Sequence, residues 1–216
     1  MTDENYAMSW HKKDPVISKL VKRLPVPTPF EVKEDLYLAL LDSVMGQQLS
    51  TKAADTIFGR FLALFKNNYP DAKTLLKMPD ETLRGAGLSA AKVKYAKNIA
   101  LFHLENPITH ARFRDMSDEQ IIAELTSITG VGIWTVQMML MFAMDRPDVF
   151  SPGDLVIRQM MVQYYGLTET GRPLMDRLHE IAECWKPNRT LACRYLWNAR
   201  AADKEEALKL KNKAKK

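Results

Sequence analysis

Residues 125–159 read LTSITGVGIWTVQMMLMFAMDRPDVFSPGDLVIRQ: a glycine-punctuated turn, an apolar run at helical spacing, then a lone carboxylate introduced by Ser-Pro-Gly. In Gly130-Val131-Gly132 two residues without a Cβ allow a tight turn and let backbone N–H groups approach a ligand such as a phosphate, while Ile128 and Val131 can anchor the turn in the core. Glycine ends helices so often that Gly-x-Gly alone is an ordinary helix–helix connection, and its surroundings must carry the reading. Upstream, Ser117-x-x-Gln120 has the form of a capping box ahead of residues 121–125. Helix resumes over 133–143, and Ser151-Pro152 is expected to cap the next helix, to residue 165. Asp154 would then sit in the first turn, where backbone N–H groups and the helix dipole favour a negative charge.

Helix signals dominate outward from this stretch. Asp14-Pro15 reads as a cap and first-turn proline opening a short helix to about residue 23, after which Pro25, Pro27 and Pro29 impose an extended link. An apolar-periodic stretch covers 33–48, and Ser50 can cap a helix through 65. Pro79-Asp80 starts a short helix that stops at Gly85-Ala86-Gly87, and Ser89 caps another to about 105. Further helical stretches span 173–183 and 187–201. No segment alternates as a strand would, and no repeat or low-complexity block precedes the tail, so the expectation is an all-α fold.

With 216 residues and 46% hydrophobic content, the chain can form one sizeable core or two small lobes. No apolar run reaches the roughly 18 residues of a membrane span, and residues 1–10 are too polar for a secretory signal, so a cytoplasmic or nuclear location and no membrane partner are expected. Cys184 and Cys193, the only cysteines, supply neither a disulfide framework nor a four-ligand metal site, and read as packing residues. The four histidines lack metal-ligand spacing, and neither a nucleotide-cofactor loop nor an activated Ser or Cys pair is present. Neither a catalytic metal nor a cofactor is expected. The net charge of +5 suits a polyanion, but the tail from Asp203 contributes six Lys against three acids and leaves only +2 for the body.

The run Leu125-x-x-Ile128-x-Gly130-Val131-Gly132-x-Trp134-Thr135, followed by Val149-Phe150-Ser151-Pro152-Gly153-Asp154, resembles the signature of the helix-hairpin-helix DNA glycosylase superfamily, most closely its 3-methyladenine DNA glycosylase II branch. Met45-Gly46-Gln47-Gln48-Leu49-Ser50 with Ala53-Ala54, and Trp185-Lys186-Pro187-Asn188-Arg189 running on to Tyr195-Leu196-Trp197, match the same branch, so the resemblance covers about residues 14–200. It implies a six-helix barrel lobe over 24–148, which carries the hairpin, and a second helical lobe of 1–23 and 149–216, with the substrate cleft between the lobes. Some members carry an additional N-terminal β-sheet domain, for which this chain leaves no room before the first barrel helix.

The resemblance also distributes roles. Asp154 falls on the family's catalytic aspartate; breaking an N-glycosidic bond builds positive charge on the sugar, which a fixed anion stabilises. The plain reading of Asp154 is a residue that favours a helix N-terminus, while Asp145 and Asp148 are nearby acids that match no such family position. Trp134 and Trp197 match the pocket tryptophans, whose indoles favour a cationic alkylated purine; Met138 stands where some relatives have tyrosine. Tyr37, Trp10 and Phe30 are aromatic candidates without an assignment. Trp134 also occupies the place of the lysine used by members that nick the backbone, which implies a monofunctional enzyme.

Gln48 matches the residue that wedges into the duplex once the base has flipped, set against a buried interhelical Gln47-Gln48 pair as the structural alternative. Thr129, Gly130, Val131 and Gly132 would grip the DNA backbone, with Thr129 carbonyl groups around a structural monovalent cation. Lys52, Lys92, Lys94 and Arg158 could add phosphate contacts. The expected function is removal of alkylated purines, such as 3-methyladenine and 7-methylguanine, from double-stranded DNA by a monomeric protein. Excision of uracil, hypoxanthine or ethenoadenine stays open, as do a non-catalytic DNA-damage binding module and a structural helical domain.

Overall fold

The computed structural model describes residues 9–10, 12–28 and 31–213; Pro29 of the extended link and the pocket candidate Phe30 lie outside the described residues. Twelve α-helices and no strand occur among the described residues. They are α1 (Pro15–Arg23), α2 (Leu36–Gly46), α3 (Thr51–Leu62), α4 (Ala72–Lys77), α5 (Asp80–Gly85), α6 (Ala90–Glu105), α7 (His110–Phe113), α8 (Asp118–Leu125), α9 (Ile133–Phe142), α10 (Leu155–Tyr165), α11 (Gly171–Glu183) and α12 (Arg189–Lys213). None of them is long and apolar enough to cross a membrane. Two compact units divide the chain, Phe30–Asp145 and Met1–Pro29 with Arg146–Lys216.

In the Phe30–Asp145 unit, α2 is the central helix and packs against α3, α6 and α9. Leu40, Leu41 and Val44 on α2, Ile99 on α6 and Leu140 on α9 are fully buried, so removing apolar surface from water is the main term holding these helices together. Side-chain caps begin the helices: Asp35, Ser50, Asp71, Ser89, Thr109 and Ser117 each accept a backbone N–H of the first turn. The capping box of Ser117 and Gln120 is complete. Helix α3 stops at Leu62 rather than at residue 65, because the chain turns into a 3-10 segment, Lys66–Asn68, and Phe65 is 6% exposed beside Phe61. Tyr37 belongs to this core. It is 1% exposed, stacks on His103 at 4.2 Å between ring centroids and donates its hydroxyl to the Pro70 carbonyl.

The other unit is organised by α12, against which α1 and α10 pack. Asp14 caps α1 as the sequence indicates, accepting from the amides of Val16 and Ile17, and its second oxygen accepts from Tyr165 and from Trp185 Nε1. That buried carboxylate is compensated by these N–H and O–H donors and by the Cys184 thiol at 3.9 Å, as its desolvation requires. Trp10 is also core, edge-on to Tyr195. Cys193 is fully buried, and burial pushes its thiol up to about 12; Cys184 is raised to about 11 by the same cause. Helix α12 runs well past residue 201, through most of the basic tail to Lys213.

Candidate functional site

The turn between α8 and α9 is pegged from below by Leu125, Ile128 and Val131, all buried, while Thr129, Gly132, Ile133 and Trp134 are exposed. The Thr126 and Ser127 hydroxyls donate back to carbonyls of α8, and the Val131 amide closes the turn on the Ile128 carbonyl. That N–H is therefore committed within the turn and is not a donor for a phosphate. The two glycines differ in what they do. Gly130 has φ +103°, and a Cβ there would stand 2.1 Å from Tyr95 Cγ, so the side chain of a residue on α6 packs directly against its backbone. Gly132 is the N-cap of α9 at φ −93°, and a Cβ there would meet nothing within 4 Å. The Thr129 carbonyl accepts Asn98 Nδ2 at 3.1 Å, so any cation at the hairpin would share that oxygen with an amide.

Gln47 and Gln48 do not form the buried interhelical pair that was the structural alternative to a Gln48 wedge. Gln47 Nε2 donates to Thr135 Oγ1 at 2.9 Å, a hydroxyl on α9 that is 1% exposed. Gln48 is exposed and its backbone is left-handed at φ +62°. For a side chain other than glycine that conformation costs about 1 kcal/mol. The Leu49 amide closes the turn on the Gly46 carbonyl at 3.1 Å, and Lys92 reinforces it: its ammonium donates to the carbonyls of Met45 at 2.7 Å and Gln47 at 3.0 Å, capping the last turn of α2. Charge-assisted bonds of this kind contribute about 1.5–3 kcal/mol each, more than the turn costs. Burial also lowers the Lys92 ammonium below the ordinary lysine range. Lys92 is thus a structural cation, not a solvated one, whereas Lys52 and Lys94 are exposed and Arg158 is half-buried.

Trp134 and Met138 lie one turn apart on α9 but have different surroundings. Trp134 is 39% exposed; Met138 is 7% exposed and lines a cavity of about 470 Å³ with Leu38, Asp42, Ser43, Phe58 and Phe142. The Asp42 carboxyl on that wall is raised by burial and by Asp55, with Lys33 opposing.

In the second unit, Asp154 itself is the N-cap of α10, one step outside the expected first-turn position and in place of Ser151, which is wholly buried. Its Oδ1 accepts the Ile157 amide at 2.9 Å and Trp197 Nε1 at 3.2 Å. The loop before it is fastened to the start of α12. Thr190 Oγ1 accepts the Val149 amide and donates to the Arg146 carbonyl, and Arg189 pairs with Asp148 at 2.8 Å. Helix α12 therefore fixes both the approach to Asp154 and the indole against it. Asp148, the rival acid, is occupied by Arg189. These fastenings were not visible in the sequence, where Thr190 carries no motif and Arg189 stands only at the end of the Trp185–Arg189 match, with its partner Asp148 distant in the chain. Among the described residues no group of three or more His, Cys, Asp or Glu side chains is placed to hold a metal ion.

Comparison with known proteins places the chain in a family. The model of the HhH-GPD superfamily base excision DNA repair proteins matches residues 41–187. Over 167 residues the chain is 35% identical to DNA-3-methyladenine glycosylase 1 of Schizosaccharomyces pombe, covering 76% of this chain and 72% of that protein. The solved structure of the Schizosaccharomyces pombe 3-methyladenine DNA glycosylase Mag1, in complex with abasic DNA, superposes with a TM-score of 0.78 at 32% identity, over 91% of this chain and 95% of that one. A DNA-3-methyladenine glycosidase from Bacillus halodurans gives a TM-score of 0.79 at 28% identity, over 95% of this chain and 92% of that one.

Proposed function

Because the chain belongs to the HhH-GPD superfamily of base excision DNA repair proteins, we propose that it is a monofunctional glycosylase that hydrolyses the N-glycosidic bond of alkylated purines, such as 3-methyladenine and 7-methylguanine, in duplex DNA. The observation that carries this reading is the Asp154 carboxylate, held at the start of α10 by the Ile157 amide and by the Trp197 indole. Two donors on one oxygen fix the rotamer of the acid, so its charge is positioned before the reaction and needs no reorganisation during it.

An alkyl group at N3 or N7 makes the purine cationic and a ready leaving group. The bond from C1′ to the base breaks with its electron pair going to the base, which departs neutral. The sugar carries the positive charge that Asp154 stabilises, and a water molecule adds its oxygen to C1′ while its proton passes to the carboxylate or to solvent. The base must first leave the helix; Gln48, exposed at its turn, fills the gap, and the backbone at Gly132 can come close to a phosphate. Trp134 offers an exposed indole for stacking a cationic base, a contact worth roughly 0.5–2 kcal/mol. An indole has no amine with which to form a Schiff base, which supports hydrolysis without strand cleavage.

The test is base release from duplexes containing 7-methylguanine or 3-methyladenine, with Asp154→Asn beside the wild type and a separate alkali step. Wild type should release the base, Asp154→Asn should be slower by on the order of 10²–10³, and strands should break only after alkali. Strand breakage without alkali would overturn the monofunctional assignment. Lesion binding without release would leave a damage-binding module, and release of uracil, hypoxanthine or ethenoadenine alone would move the substrate class.

A further inference from the structure

Both turns of the Phe30–Asp145 unit described above are held by one helix. On α6, Lys92 donates to the carbonyls that flank the Gln47–Gln48 turn, Tyr95 lies against Gly130, and Asn98 donates to the Thr129 carbonyl. These three side chains are spaced i, i+3 and i+6, so they follow one another along about 9 Å of a single rigid rod. Gln47 adds a second bridge between the two turns, its amide reaching Thr135 in the first turn of α9.

We propose that Lys92 is the positioning residue for Gln48: it clamps the end of α2 so that Gln48 is presented in its left-handed conformation, and through Tyr95 and Asn98 the same helix holds that turn in register with the hairpin. The chemistry of the clamp follows from where the chain leaves the helix. The last carbonyls of α2 have no amide partner four residues on, because Gln47 is extended and Gln48 is left-handed. A cationic donor on a neighbouring helix supplies what the chain itself cannot. Lys92 acts on the backbone on both sides of Gly46 rather than on DNA, and its effect on excision is indirect. The inference rests on the glycosylase reading and on Gln48 as the residue that enters the duplex.

The experiment uses the full chain with Lys92→Met, which keeps the length of the side chain and removes its donors, Lys92→Arg, which restores them, and Gln48→Ala alone and combined with Lys92→Met. Lys92→Gln replaces Lys92→Met if the latter does not fold. Hydrogen exchange is read at the amides of Gln47 and Leu49, which close the turn on the carbonyls of Val44 and Gly46. Lys92→Met should speed their exchange about tenfold, with Lys92→Arg close to wild type. Base release from a 7-methylguanine duplex should fall about five- to tenfold in kcat/KM, with no further loss when Lys92→Met is added to Gln48→Ala. Binding to undamaged duplex and its salt dependence should stay unchanged.

Unchanged exchange in Lys92→Met overturns the proposal. So does a uniform loss of affinity for undamaged DNA with the salt slope reduced by about one, which would make Lys92 a phosphate contact. Unaltered excision in Gln48→Ala sinks the wedge and with it the role of Lys92. A failure of the glycosylase reading shows earlier and separately, as no base release by the wild type, and the exchange measurement then decides the clamp alone.

Discussion

The two turns gripped by α6 each place one residue at positive φ, by opposite means. At the hairpin a left-handed residue is a glycine, and the space left by its missing side chain is filled by the ring of Tyr95. At the α2–α3 turn a left-handed residue is Gln48, whose side chain is exposed, and the turn, closed by the Leu49 amide on the Gly46 carbonyl, is reinforced from outside by the Lys92 ammonium. The first turn is favoured by its own residue; the second is unfavourable by itself and is stabilised by a neighbour. Glycine would fit the second turn at less cost in backbone strain, so a test at Gln48 separates what its side chain does from what the turn requires.

The contrast can be broken most strongly at Gly130. Gly130→Ala meets both the positive φ and the Tyr95 ring, and is expected to destabilise the protein by about 2–4 kcal/mol. For a chain of this length that lowers the melting temperature by roughly 5–15 °C in a thermal scan. A loss under about 1 kcal/mol would mean that the Tyr95 ring swings aside freely. Gln48→Gly should do the reverse at the other turn, raising stability by about 0.5–1 kcal/mol while slowing lesion excision several-fold. A fall in stability would show that contacts of the Gln48 side chain, and not Lys92, hold the turn. The smallest effect on folding belongs to Gly132→Ala, within about 0.5 kcal/mol of wild type because the added methyl meets nothing. Its consequence should appear only in weaker DNA binding, measured by titration against undamaged duplex. Binding equal to wild type would place the phosphate elsewhere.

What could be read beforehand follows the range of the interactions. The caps at Asp14, Ser50, Ser89 and Ser117 are local, each bonded within three residues, and each marks the start of its helix. Helices α4 and α7 were missed although Asp71 and Thr109 cap them, because six and four residues are too few to display a 3.6-residue period. Ser151-Pro152 drew the start of α10 too early: the chain first makes a turn in which the Asp154 amide bonds the Ser151 carbonyl. The candidate site was legible as residue types in order, but not as a geometry. Gly130 and Gly132 look alike in sequence, and only Tyr95, from another helix, separates them. Lys92 reads as one more surface lysine, since its partners at Met45 and Gln47 are distant in the chain.

The packing of Tyr95 on Gly130 also constrains how this protein can change over generations. A mutation enlarging residue 130 is harmful as long as an aromatic ring stands over it, and shrinking residue 95 first opens a hole in a position that glycine cannot fill. Neither single step leads downhill, so the two codons are expected to drift together or not at all, and a lineage that has lost the glycine should have lost the ring as well.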